Sequence, residues 1–176
     1  MVRIVNGDLL CATEEYICQQ NNCIAVKPHG LSESIRRSLG VDPYSIRRSL
    51  NGRNYAVPED QSIPGTIQIY TSNNTKNKII CMYAQYGMSK PYRYNTSNNF
   101  RGKYNDSYTV DSYESRLIWF YKCLYEISKL KPVSLSFPYN IGCGLAGGNW
   151  NRDYYPAIMY FSEKFPDIDI VLYKLD

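Results

Sequence analysis

The chain has 176 residues, 44% of them hydrophobic and 20% charged, with a formal net charge of +4. This length suits one domain with a real core over residues 1–176, and the composition excludes disordered and fibrous classes. The mild basic excess permits anionic ligands without demanding nucleic acid. No apolar run of signal-peptide length opens the sequence, and none approaches the roughly 18 residues of a membrane span, so a cytoplasmic or nuclear setting without membrane association is expected. In that setting the 6 cysteines read as free thiols; with 1 histidine and no C-x-x-C pair, neither a metal nor a cofactor is expected. The 18 tyrosines read as compositional bias.

In chain order, residues 2–5 form a short strand before Asn6-Gly7-Asp8, and residues 16–26 a second strand interrupted by polar residues. Leu31, Ile35 and Leu39 recur every four residues ahead of Gly40, which predicts an amphipathic helix. Residues 41–64 are loop-rich. Strands follow at 66–70 and 78–83 across a polar turn. The stretch 87–110, rich in Tyr and Asn, has no period, and long loops of this kind are usually functional or mobile. A helix starts at Asp111, with Glu114 as its capping-box partner and Leu117, Tyr121, Leu124 and Ile127 as its apolar stripe. Val133, Leu135 and Phe137 alternate with serines as a strand. A last helix over 153–165 and a strand over 168–173 complete an α/β order with a parallel or mixed sheet.

Between that alternating strand and the last helix lies "FPYNIGCGLAGGNW" (137–150), with four glycines in seven residues. Gly142, Gly144 and Gly147 spell G-x-G-x-x-G. A dinucleotide fold would need an acidic residue at the end of the next strand and more chain beyond it, yet Asp167 and Asp169 stand at that strand's start. A Walker loop fails because Gly148-Asn149 replaces Lys-Ser/Thr. A strand–glycine loop–helix that offers backbone N–H groups to a pyrophosphate fits, since glycine permits positive φ and the helix adds its dipole. A strained turn with glycines for packing alone is the competing reading.

The glycine loop, together with "VNGDLL" (5–10), "YICQQNNCIAVKPHGLSESIR" (16–36), "AVPED" (56–60), "IPGTI" (63–67) and "CMYAQYG" (81–87), resembles the macro domain over nearly the whole chain. The likeness is to the branch of ADP-ribose 1''-phosphate phosphatases and terminal ADP-ribose glycohydrolases, which has many phage and large-virus members. The resemblance implies a three-layer α/β/α sandwich around a central mixed sheet, and ADP-ribose or a derivative of it as ligand. It places Asp8 as acceptor for the adenine amino group, a task suited to an acceptor-only carboxylate, and the Leu9 backbone beside the ring. Asn22 falls against the distal ribose, where an amide can donate and accept. Lys27, His29, Gly30, Leu31 and Ser32 form a first ligand loop whose N–H groups face the pyrophosphate. Pro138, Asn140, Ile141, Gly142, Cys143, Gly144, Leu145 and Ala146 form the second, and Gln85 lies at the rim.

For chemistry, the resemblance implies a hydrolase that removes phosphate from ADP-ribose 1''-phosphate or releases ADP-ribose from modified protein or nucleic acid. A non-catalytic reader of such targets is the alternative. The glycohydrolases that use lysine and aspartate carry the aspartate after Gly-Cys-Gly-Leu, and here that residue is Ala146. His29 is then the candidate general acid or base, and Asn22 with the ligand's own phosphate is the candidate holder of a water. A third function class rests on the 90–103 tract, whose Lys90, Arg93, Arg101 and Lys103 lie among aromatics, a pattern that suits single-stranded nucleic acid.

Overall fold

The fold was analysed in a computed structural model, which describes residues 1–93 and 110–175. Most of the 90–103 tract therefore lies outside the described residues. Six strands form one sheet: β1 (Val2–Asn6), β2 (Tyr16–Asn22), β3 (Ile67–Tyr70), β4 (Lys78–Gln85), β5 (Ser134–Pro138) and β6 (Asp169–Lys174). Their order is β1-β6-β5-β2-β4-β3. Every neighbouring pair is parallel except β3 with β4. Helices α1 (Leu31–Leu39), α2 (Tyr113–Lys129) and α3 (Tyr155–Lys164) cover the sheet. Among the described residues no helix is long and apolar enough to cross a membrane.

Successive residues of β2 show the two faces. Asn21 donates to the Tyr44 hydroxyl at 3.0 Å, in the excursion that follows α1. Gln20 points the other way, with Tyr154 just ahead of α3. That second layer holds α2 and α3 together: the Phe120 and Tyr154 rings meet edge-on at 4.9 Å, and Tyr121 meets Tyr160 at 6.4 Å. The fold is thus the expected mixed-sheet α/β/α sandwich.

α1 follows its pattern, with Ile35 and Leu39 buried and Gly40 ending it in the left-handed region. Several details differ from expectation. β2 stops at Asn22, because residues 23–25 turn away to bond other loops: Cys23 N donates to Tyr86 O, and Cys23 O and Ile24 O accept from Ser62 and Ala56. The cap of α2 is Ser112, whose Oγ accepts from Ser115 N at 2.9 Å, and not Asp111. Its buried face is Arg116, Trp119, Phe120, Cys123, Leu124 and Ile127, whereas Tyr121 is exposed. The serines between the apolar residues of β5 do not face water. β5 is central, so Ser136 is buried and donates to Tyr16 O at 2.9 Å. Residues 150–154 form one wide π-type turn before α3.

Because Ser112 satisfies an otherwise orphan amide at the start of α2, Ser112→Ala should lower unfolding free energy by about 1 kcal/mol. Urea denaturation checks this, and the expected outcome is a lower midpoint with an unchanged slope.

Candidate functional site

In an open α/β sheet, ligands bind where loops leave neighbouring strands in opposite directions, beyond the carboxyl ends. Here that point lies between β2 and β5. The chain leaves β5 through α3 to β6 on one side, and leaves β2 through α1 toward β4 on the other. The two strands pair only through Tyr16 with Leu135 and Ile17 with Ser136. Beyond those residues the two strands share no further paired positions, and the loop after Asn22 and the glycine loop both leave the same edge of the sheet.

The first wall is residues 22–32. Asn22 Oδ1 accepts from Ile24 N at 3.1 Å and Ala25 N at 2.7 Å. Its oxygen is therefore engaged, and its amide NH2 is the group left to offer a ligand, as donor only. The Lys27 amide donates to Asn54 Oδ1 at 3.1 Å. The His29 amide donates to Ser32 Oγ at 2.9 Å, and that hydroxyl donates back to His29 O at 2.7 Å. Neither Lys27 N nor His29 N is open to a ligand, then, and the buried Ser32 hydroxyl acts as a turn closure. The free N–H groups of this wall are those of Gly30, Leu31 and Ser32, at the N-terminus of α1. Only Glu33 and Ser34 in this turn donate to Gly30 O. The His29 imidazole is exposed beside them.

The second wall is the glycine loop. Ile141 N donates to Pro138 O, Cys143 N to Asn140 O, Gly147 N to Gly144 O and Gly148 N to Gly142 O. The amides of Asn140, Gly142, Gly144, Leu145 and Ala146 have no such partner among the described residues. Of the predicted loop donors, Ile141 and Cys143 are therefore already engaged. Two glycines are required here by space. Gly142 has φ +76°, and a Cβ there would lie 3.0 Å from both Gln20 Oε1 and the Tyr154 ring. A Cβ on Gly148 would stand 2.5 Å from Gly142 O and 2.6 Å from Tyr154 Cε2. A cavity of about 450 Å³ opens against this loop, lined by Tyr139, Asn140, Cys143, Asn149, Trp150 and Asn151.

Asp8 and Leu9 reach the same edge because β1 and β6 run parallel to β5. Asp8 Oδ1 accepts from Leu10 N at 2.9 Å, capping a short 3-10 turn over Leu9–Cys11. Oδ2 has no hydrogen bond among the described residues. The Leu9 side chain is buried in the core, and its N–H is free. The half-buried Tyr173 ring stands beside Gly7 and anchors its hydroxyl on Glu14 at 2.7 Å. Gln85 lies at the edge, but its amide is committed inward: Oε1 accepts from Gln20 at 2.8 Å and Nε2 donates to Gly87 O at 3.0 Å.

Two buried guanidiniums hold the walls. Arg47 donates to Ala25 O, Asn22 O and Ser62 Oγ, and lies 4.8 Å over the Tyr44 ring. Arg116 pairs with Asp111 and donates to Ser89 O and Ala146 O. Sequence reading missed both, along with Gln20 and Tyr154, because periodicity marks apolar faces and these are polar groups inside them. Cys143 is no nucleophile at neutral pH. Burial, helped by the charge of Asp153, pushes its thiol up to about 12.

No protein-family model and no curated protein matches the sequence. Solved structures do match. The macrodomain of Mycobacterium tuberculosis DarG superposes with a TM-score of 0.63 at 19% identity, over 98% of this chain and 97% of that one. The macrodomain of Thermus aquaticus DarG gives 0.62 at 19% identity over the same shares. The Trypanosoma brucei macrodomain in complex with ADP-ribose gives 0.61 at 12% identity, over 99% of this chain and 63% of that one. At these identities the likeness speaks to architecture, and the architecture of this chain is the macro-domain fold.

Proposed function

We propose that the chain binds ADP-ribose in the crevice between β2 and β5 and hydrolyses a bond at the distal ribose, as a phosphatase of ADP-ribose 1''-phosphate or as an ADP-ribosyl hydrolase. The observation that carries this is two sets of N–H groups with no hydrogen-bond partner among the described residues, Gly142, Gly144, Leu145 and Ala146 in the loop after β5, and Gly30, Leu31 and Ser32 at the start of α1. A diphosphate has the charge and the acceptor oxygens to take such donors, and the α1 dipole adds to the attraction. Asp8 Oδ2 accepts from the adenine amino group at one end, and the Leu9 amide lies beside the ring. The Trypanosoma brucei structure holding ADP-ribose, and an Oceanobacillus iheyensis macrodomain mutant with the same ligand, support the choice of ligand.

At the distal ribose, the Asn22 NH2 and the substrate's phosphate position a water. For the 1''-phosphate, the water attacks phosphorus, the bond from phosphorus to the 1''-oxygen breaks, and His29 donates a proton to the leaving oxygen. The chain's alternative role, a non-catalytic reader of ADP-ribosylated protein or nucleic acid, is favoured by Ala146, which puts no carboxylate at the reacting end. Phosphate release and mass spectrometry across a panel of ADP-ribose derivatives separate the two: binding with no turnover on any of them selects the reader.

Isothermal titration with ADP-ribose is the first test, and absence of binding at ~1 mM, a free energy weaker than about −4 kcal/mol, rejects the ligand. Asp8→Ala removes a charge-assisted hydrogen bond of about 1.5–3 kcal/mol to the ligand and should weaken ADP-ribose about 10- to 100-fold, while loss of its cap on Leu10 N lowers the melting temperature by about 2–4 °C; equal affinity removes Asp8 from the adenine site. His29→Ala should lower turnover about 100-fold while leaving binding near wild type. Turnover equal to wild type would take His29 out of the chemistry.

A further inference from the structure

Beneath the glycine loop lies a buried ion pair that none of the binding roles above uses. Arg116 Nε donates to Asp111 Oδ1 at 2.7 Å and Nη2 to Asp111 Oδ2 at 2.9 Å. The Arg116 and Asp111 side chains are 2% and 0% exposed. The remaining guanidinium donors go to main-chain carbonyls. Nη1 donates to Ser89 O at 2.7 Å and to Ala146 O at 3.3 Å, and Nη2 to Gly87 O at 3.3 Å. Asp111 Oδ2 also accepts from Gly87 N at 3.0 Å, and Asp111 O from Tyr92 N at 2.7 Å. One pair therefore joins the chain after β4, the start of α2 and the end of the phosphate loop.

Stability alone does not account for this arrangement. Removing two charges from water costs about as much as their attraction returns, and apolar replacements of such pairs are often neutral or stabilising. What the pair adds is geometry. The guanidinium is planar, and its donors leave in fixed directions, so the three segments are held in a fixed relation. Ser89 is kept at φ +61°, a conformation that a non-glycine residue avoids, with its carbonyl on Arg116. The next residue, Lys90, lays its alkyl stem along the loop: a Cβ on Gly147 would lie 3.3 Å from Lys90 Cγ. The glycine loop is thus gripped twice, at Ala146 O by Arg116 and at Gly147 by the segment that Arg116 fixes.

We infer that Arg116, oriented by Asp111, is the positioning residue of the diphosphate cradle: it fixes the Ala146 carbonyl, and with it the turn closed by Gly147 N on Gly144 O, so that the N–H groups of Gly144, Leu145 and Ala146 are presented to phosphate. This rests on the ADP-ribose reading for its ligand, but the order it imposes on the loop is a property of the free protein. It also assigns the two ends of the crevice to different supports. The adenine end rests on the turn after β1, and the phosphate end on Arg116.

The test uses the whole chain with Arg116→Lys, which keeps the charge and loses the fork, and with the paired replacement Asp111→Leu/Arg116→Met, which removes both charges. Each variant that melts cooperatively is examined by amide hydrogen exchange without ligand, and by titration with ADP-ribose and with adenosine. Expected are faster exchange at Gly147 and Gly148, whose N–H groups are hydrogen-bonded within the loop, and at Gly87 in the paired replacement, and ADP-ribose affinity lowered about tenfold or more, with adenosine affinity unchanged. Arg116→Lys is expected to retain part of the affinity that the paired replacement loses. Unchanged exchange and affinity in a folded variant overturn the inference, and so does an equal fall for both ligands. In the wild type, which needs no variant to fold, the Arg116 Nε–H resonance is expected to shift with ADP-ribose and not with adenosine. A resonance indifferent to ADP-ribose, in a protein that binds it, overturns the inference as well. If the wild type fails to bind ADP-ribose, the functional reading falls, and the exchange measurement still decides whether Arg116 orders the loop.

Discussion

Parallel strands cannot be joined by hairpins, so their connections must cross back over a face of the sheet, and their carboxyl ends all meet on one edge. With β1, β6, β5, β2 and β4 parallel, that edge collects Gly7-Asp8, Asn22, Gln85 and the glycine loop without any further instruction from sequence. The crevice has the same origin. β5 sends its chain one way and β2 the other, and their pairing ends after Ile17 and Ser136, so beyond that point β2 is paired only with β4 and β5 only with β6, and the loops that follow carry N–H groups with no backbone partner among the described residues. Orphan donors at the end of a buried sheet would ordinarily be a cost. Here they line an open edge, where an anion can take the place of the missing carbonyls.

An edge assembled from loops needs its loops held, and both walls are held by a buried cation. Arg47 makes its bonds to carbonyls and a hydroxyl, with Tyr44 and Tyr83 against its face. Carbonyl dipoles and ring quadrupoles together stabilise a charge that no carboxylate pairs with among the described residues. Arg116 has Asp111, and the pair is close to neutral. The difference suits their positions. Arg47 fixes residues 22–25, which only have to stay in place, whereas Arg116 sits directly under the loop that is to receive a diphosphate. A compensated charge there orders the loop and leaves attraction for the ligand to the N–H groups and the helix dipole.

The sequence was legible where the signal was apolar or conformational. The 31–35–39 spacing with Gly40 gave α1, the glycine cluster gave a loop between strand and helix, and the order of segments gave the mixed sheet. It was illegible where polar residues enter the core. Asp111 reads as a cap because it precedes a helix; its real partner, Arg116, is five residues on and buried, and the cap passes to Ser112. Ser136 reads as the wet side of a strand because alternation cannot reveal that both faces are covered. Within the loops to which the family pattern points, that pattern does not say which amides remain free. That Lys27, His29, Ile141 and Cys143 spend theirs on Asn54, Ser32, Pro138 and Asn140 depends on turn geometry, which spacing does not encode.

Ala146 shows how far backbone can replace side chain in such a site. Where a related chemistry would place a carboxylate, this chain has a methyl group. Its carbonyl is held by Arg116, while its own N–H, in the preceding peptide, has no partner among the described residues. A site of this kind stabilises charge through fixed dipoles and supplies no general base at that position, so acceleration has to come from preorganisation and from groups carried by the substrate itself. A phosphate next to the scissile bond fills that requirement, because it both occupies the free amides and orients a water. A neutral leaving group offers neither. On the proposed reading, this chemistry suits phosphorylated ADP-ribose better than its uncharged conjugates, because Ala146 rather than a polar residue stands at that position of the loop.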